Sequence, residues 1–223
     1  MAASNGTATW KETPTRAAAD DRATGASSPA SEPARHPAGP RLTPVETPRG
    51  LKLRFAYWGM RHWMGKVMTP VKVVSARVPE SMAITSSFAR FSKKGLTIDP
   101  GLQILLSDRV SQINGCLFCE DLARAFAARQ KLGLERKLEA LAGYRSSPLF
   151  GEKERAALAY VEEATRTKSV SDAVFATLQR HFTEREVVEI TLLCAIENFY
   201  NLTNLPLGIG SDGFCALPGS RTA

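Results

Sequence analysis

The chain has 223 residues, 43% hydrophobic and 23% charged, with a net charge of +7. That length holds one packed domain with a tail, and four cysteines spread over it exclude a disulfide-rich secreted scaffold. The opening "MAASNGTATWKETPTRAAADD" lacks the apolar stretch of a signal peptide and no apolar run suits a bilayer span, so a reducing cytoplasm is the expected setting.

Residues 1–48 are rich in Ala, Pro, Ser, Thr and Gly. A stretch such as "GASSPASEPARHPAGPR" buries too little apolar surface to offset its ordering entropy, which predicts a disordered tail with Trp10 in solvent. Residues 49–79 read as a basic aromatic arm, in which Arg49, Lys52, Arg54, Arg61, Lys66, Lys72 and Arg77 alternate with Phe55, Tyr57, Trp58 and Trp63. Such a segment suits either an anionic surface, membrane or nucleic acid, or docking of its aromatics on the core or a neighbouring subunit. No nucleic-acid motif accompanies it, which favours the docked arm and argues against nucleic acid as a partner.

From residue 80 to 223 the pattern is helix after helix. "PESMAITSSFARFSKKG" ends on two lysines and Gly95, a helix stop. The next helix opens with Asp99 as N-cap and Pro100 at its first position, and Leu102, Leu105, Leu106, Val110 and Ile113 recur at helical spacing. A helix follows the cysteines and stops near Gly133; short helices are expected at 134–142 and over "EKERAALAYVEEATR". Ser171 is placed to cap "DAVFATLQRHF", and Thr183 with Glu186 makes a capping box for "EREVVEITLLCAIENFYNLTN". No alternating strand pattern stands out, so the fold class is all-α.

The pair Cys116 and Cys119, in "INGCLFCEDLARAF", lies at a helix start. Unpaired amides and the helix dipole there favour a thiolate, so an exposed Cys116 is expected to attack and a better shielded Cys119 to resolve the mixed disulfide. A zinc site needs about four ligands, and Cys194, Cys215, His62 and His181 lie far from the pair in sequence. Two buried structural thiols, flanking apolar Leu117 and Phe118, are the plain alternative. Glu120 and Asp121 either raise a neighbouring thiol pKa or simply suit the helix N-terminus.

"RVSQINGCLFCEDLARAFAARQKLG", followed by a helix pair and "FTEREVVEITLLCAIENFYNLTNLPLGIGSDGFC", resembles the carboxymuconolactone decarboxylase and alkylhydroperoxidase-D-like family over roughly residues 80–215. The resemblance implies an all-α, alkylhydroperoxidase-D-like helical domain in a homo-oligomer, usually a trimer or hexamer. It also implies a cysteine pair that reduces peroxides or passes electrons to a peroxidase partner and is recharged by a thiol electron donor, with no cofactor or metal. Its redox members usually carry a His four residues after the second cysteine and a Glu twelve residues before the first; here these positions are Ala123 and Ile104. A non-catalytic oligomer that keeps the fold and a lactone decarboxylase are the competing readings.

Glu197 follows an apolar run in "LLCAIENFYN", which predicts partial burial, a raised pKa and the proton relay absent from the first motif; an ion pair with Arg109 is the structural alternative. Asn198 and Asn201 read as inter-helix hydrogen bonders, Cys194 as core, and "GIGSDGFC" as a turn or subunit-contact tail in which Cys215 is packed. His181 ends a helix, where an imidazolium complements the dipole. The assignment as a whole is a peroxidase-like thiol–disulfide oxidoreductase, soluble and without stable membrane insertion.

Overall fold

Asp99 begins the central helix as its composition predicts: its carboxylate accepts the Leu102 amide at 3.0 Å, and Pro100 occupies the first turn, where an amide would go unbonded. The computed structural model in which this is seen describes residues 39–216, so Trp10 and the tail up to residue 38 lie outside the described residues. The elements in chain order are α1 (Leu51–Met64), a π-helical turn (Val71–Ser75), α2 (Ser81–Lys94), α3 (Pro100–Asn114), α4 (Leu117–Arg129), α5 (Glu135–Ala140), α6 (Glu152–Thr167), α7 (Asp172–Gln179) and α8 (Glu184–Asn204). Among the described residues there is no strand, and the fold is all-α.

The main core gathers Leu102, Leu105, Leu106 and Val110 of α3, Ala157, Leu158 and Val161 of α6, and Ile190, Leu193 and Cys194 of α8. Ile113 stays only partly buried. Glu189 ties the ends of this layer together. One turn and a half into α8, it is 4% exposed and accepts the Thr97 amide at 2.7 Å and the Ile98 amide at 3.2 Å, while Arg185 pairs with it at 2.8 Å. The Thr183–Glu186 box forms as expected, with the Thr183 amide donating to the Glu186 carboxylate at 2.8 Å.

Two local readings need correction, the Ser171 cap and the end of the tail, while Gly95 stops α2 as expected. Ser171 makes no cap bond; its hydroxyl and amide both donate to the Glu163 carboxylate, at 3.1 and 3.0 Å, because that acceptor on α6 carries a charge. Gly95 ends α2 with an ordinary right-handed φ of −96°; glycine fits there because a Cβ would lie 2.6 Å from the Phe91 ring. The stretch from Arg41 to Pro48, which composition places in the tail, is docked. The Arg41 amide bonds the Leu207 carbonyl at 2.8 Å, the Val45 amide bonds Lys72, and Tyr57 Oη donates to the Val45 carbonyl at 2.9 Å.

The arm holds α1, which buries Leu53, Tyr57 and Met64 and turns Leu51, Phe55 and Trp58 outward. Leu53 and Tyr57 form a small satellite cluster with Val67 and Val71. A second cluster joins Met64 and Val73 to Cys116, Phe118 and Cys119 and to Ile209 and Phe214 beyond α8. That second cluster positions the site.

Candidate active site

α3 ends at Asn114, and the chain must reverse within one residue to start α4. Gly115 does this at φ 73°, the left-handed region where a side chain is strained. The Cys116 amide then bonds the Ser111 carbonyl at 2.9 Å, and Cys116 becomes the N-cap residue of α4. Cys119, one turn in, returns its amide to the Cys116 carbonyl at 3.0 Å. No disulfide joins the two thiols.

The two thiols are not arranged as an exposed attacker and a shielded partner. Cys116 is 0% exposed and Cys119 7%. What covers them is distant in sequence: Ile209 and Phe214, on the strap that follows α8, pack in the same cluster, with Phe214 edge-on to Phe118 at 6.3 Å. Asn204, the last residue of α8, donates toward both sulfurs, at 3.5 Å to Cys119 and 4.0 Å to Cys116. Leu117, between the thiols, is 47% exposed, so the helix start borders solvent on that side.

A carboxylate does reach the pair. Glu197, half-buried on α8, takes the Ser111 hydroxyl at 2.9 Å and the Asn201 amide at 3.0 Å on one oxygen, and the Cys119 thiol lies within hydrogen-bonding reach. Burial pushes Glu197 above the usual carboxylate range, against the pull of these donors. Arg109 is not its partner; it bonds Glu162 on α6 at 2.9 Å. The Asn114 side chain donates to Asn198 at 3.0 Å and to Asn201 at 2.8 Å, so the Asn-rich end of α8 is clamped to the end of α3.

The thiols polarise each other. The Cys119 thiol hydrogen bond, helped by the Cys119 amide and Asn204, holds Cys116 below the ordinary cysteine range against burial and the Glu197 charge. The same bond, with burial and Glu197, drives Cys119 upward. This leaves a proton on Cys119 pointing at a more acidic Cys116.

Neither acid after the pair is simply a helix-terminus charge. Glu120 faces Arg124 at 3.6 Å. Asp121 is 8% exposed and receives the amides of Phe214 and Cys215 at 2.8 and 2.9 Å, which fastens the strap to α4. The Cys215 thiol donates to the Asp121 carbonyl at 3.2 Å, and burial pushes that thiol up to about 11. Earlier on the strap, Asp212 accepts the Thr69 amide at 2.8 Å and its hydroxyl at 2.6 Å. Cys194 is remote from this, buried in the main core beside Thr165.

Sequence reading singled out Cys116, Cys119 and Glu197, and the fold brings the three together. It passed over Ser111, Asn204 and Asp212, and it weighed Asp121 only as a charge beside the thiols. It also passed over Asp108, fully buried on α3, which takes Gln112 at 3.1 Å and Arg124 at 3.5 Å and is pushed up to about 6 chiefly by burial.

The carboxymuconolactone decarboxylase family model matches residues 79–163. The chain is also 33% identical over 174 residues to the uncharacterized protein YnjA of Escherichia coli (strain K12), covering 77% of this chain and 94% of that one. The chain belongs to the carboxymuconolactone decarboxylase family. Among solved structures, ATU0492 of Agrobacterium tumefaciens, a protein of unknown function provisionally named as the antioxidant defence protein AhpD, superposes with a TM-score of 0.56 at 27% identity. That match covers 60% of this chain and 93% of that one. The debrominase Bmp8 superposes with a TM-score of 0.67 at 20% identity, over 80% and 96% of the two chains, a likeness of fold.

Family membership sharpens the departures. The position of the usual His is Ala123, 7% exposed, and that of the usual Glu is Ile104, packed against the main core. The carboxylate beside these thiols comes instead from α8, through Glu197.

Proposed function

We propose that the chain is a thiol–disulfide oxidoreductase that reduces small peroxides through Cys116 and Cys119. One observation supports this above the others: two buried thiols one helical turn apart share the Asn204 amide, with the Glu197 carboxyl beside Cys119. In this reading the Cys116 thiolate attacks the peroxide, breaking its O–O bond and forming a sulfenic acid. The leaving alkoxide takes a proton relayed by Glu197 and departs as an alcohol. Cys119 then attacks the Cys116 sulfur, its proton passes to the departing hydroxide through Glu197, and water and a disulfide result. A thiol electron donor, small dithiol or protein partner, returns two electrons and two protons.

The aromatic wall of Phe118, Phe214 and Tyr200 favours a second reading, in which the same dithiol removes halide from a small halogenated ring, as the name of the debrominase neighbour says of that protein. The ring would gain a proton and the halide leave as the thiols become a disulfide. A degraded, non-catalytic site and lactone decarboxylation stand behind these two, since both leave the thiol pair unused.

Peroxide consumption by the full chain and by Cys119→Ser tests the reading. Wild type should consume peroxide with a thiol donor, and the variant should stop at a trapped Cys116 adduct visible by mass spectrometry. Mild oxidation should give a 116–119 link that dithiothreitol removes. If both thiols stay reduced while methionines are oxidised, the proposal is wrong; bromide release without peroxide turnover would select the second reading.

A further inference from the structure

The outer face of α1 has no use in the site. Leu51, Phe55, Trp58 and His62 recur at i, i+4, i+7 and i+11, so they form one ridge. Leu51 is 80% exposed, Phe55 71% and Trp58 60%. The rings organise each other: Phe55 lies 5.3 Å from Trp58, and the His62 ring stacks parallel on Trp58 at 5.8 Å. Leu51, Lys52, Arg54, Phe55 and Trp58 line a shallow open groove along this ridge. Trp63 stands apart, since Arg129 lies over its ring at 5.0 Å.

Charge distinguishes this ridge from an ordinary protein contact. From Thr47 to Pro79 the sequence holds no acid, while Arg49, Lys52, Arg54, Arg61, Lys66, Lys72 and Arg77 are all basic. Lys52, Arg54 and Arg61 are exposed beside the ridge and have no carboxylate partner among the described residues. A second copy docked through the same face would set these cations against their own kind. An occupant must therefore be anionic and must also accept a Leu–Phe–Trp ridge out of water. A bilayer surface with anionic headgroups meets both needs: rings sink to the headgroup boundary while lysine and arginine stay at the phosphates.

We infer that α1 docks the protein peripherally on anionic phospholipid, lying in the interface with Leu51, Phe55 and Trp58 inward and Lys52, Arg54 and Arg61 on the phosphates. Among the described residues no helix is long and apolar enough to cross a membrane, so the contact is one of surface rather than span. The buried side of α1 (Leu53, Tyr57 and Met64) stays on the protein throughout, so docking needs no unfolding of the helix.

Co-sedimentation of the full chain with phosphatidylcholine vesicles, with and without phosphatidylglycerol, tests this. Binding should need phosphatidylglycerol and fall with added salt. Phe55→Ser with Trp58→Ser should cut the partition at least roughly tenfold. Replacing Lys52, Arg54 and Arg61 by Ser should cut it roughly a hundredfold, at about a fivefold loss per cation. Phe175→Ser on α7, also apolar and exposed, should leave it unchanged. Equal binding to neutral vesicles, no vesicle binding, or equal loss in the Phe175 variant would overturn the inference. So would vesicle-free binding of a DNA duplex lost in the same α1 variants, or a smaller sedimenting species for Phe55→Ser with Trp58→Ser.

Discussion

Glu197 carries one oxygen loaded with two donors, Ser111 and Asn201, and burial raises its pKa above the usual carboxylate range. Glu197→Gln keeps the acceptor and loses the acid, so disulfide formation between Cys116 and Cys119 should slow on the order of a hundredfold and lose one limb of its pH profile. Stopped-flow oxidation across the pH range checks this; an unchanged profile removes Glu197 from the relay. Asp108 makes a separate, purely structural case. Its carboxyl is raised to about 6, so its contribution to stability is complete below about pH 4 and is lost as pH rises through about 6. The loss amounts to roughly 3 kcal/mol. Asp108→Asn should flatten that fall, which urea midpoints at acid and neutral pH would show; a variant with the wild-type slope contradicts the assignment. Cys116, Cys119 and Glu197 were legible because their chemistry is written in residue type and local pattern. Ser111 and Asn204 were not, because each gains its role from a partner more than eighty residues away.

At the scale of elements, capping chemistry carried the reading. Asp99 with Pro100 and Thr183 with Glu186 begin their helices as local rules require. Those rules fail where a distant charge competes, as Glu163 does for Ser171. They are silent on the strap. Nothing in "GIGSDGFC" says that its amides belong to a carboxylate on α4. Yet Asp121 decides how tightly the thiols are covered. Asp121→Asn removes a charged acceptor from two amides, which costs about 1.5–3 kcal/mol of local stability. Iodoacetamide should then label Cys116 and Cys119 at least roughly tenfold faster while the helical signal is kept. No change in labelling would mean that access runs elsewhere, past Leu117.

On the scale of the whole molecule, α8 leaves Val188, Leu192, Ala195, Phe199 and Leu202 exposed at alternating spacings of four and three, a seam suited to another helix. None of the residues of α2, whose Phe88 meets Phe199 at 5.3 Å, is buried. We expect these faces to pair between copies. Sedimentation at micromolar concentration should give a multiple of the 24.2 kDa chain, and Leu192→Glu with Leu202→Glu should reduce it to one; a monomeric wild type would refute the seam.

The strap has a last consequence for how the molecule breathes. It is tied to Thr69 of the arm by Asp212 and to Arg41 by Leu207, and to α4 by the amides that Asp121 accepts and by Phe214 packed on Phe118. The main core of α3, α6 and α8 plays no part in these ties. The thiols should therefore be uncovered by a sub-global opening that exposes little surface, and its free energy should depend weakly on denaturant. Labelling of Cys116 should rise gently well below the unfolding midpoint, whereas Cys194, locked in the main core, should wait for the whole chain to unfold.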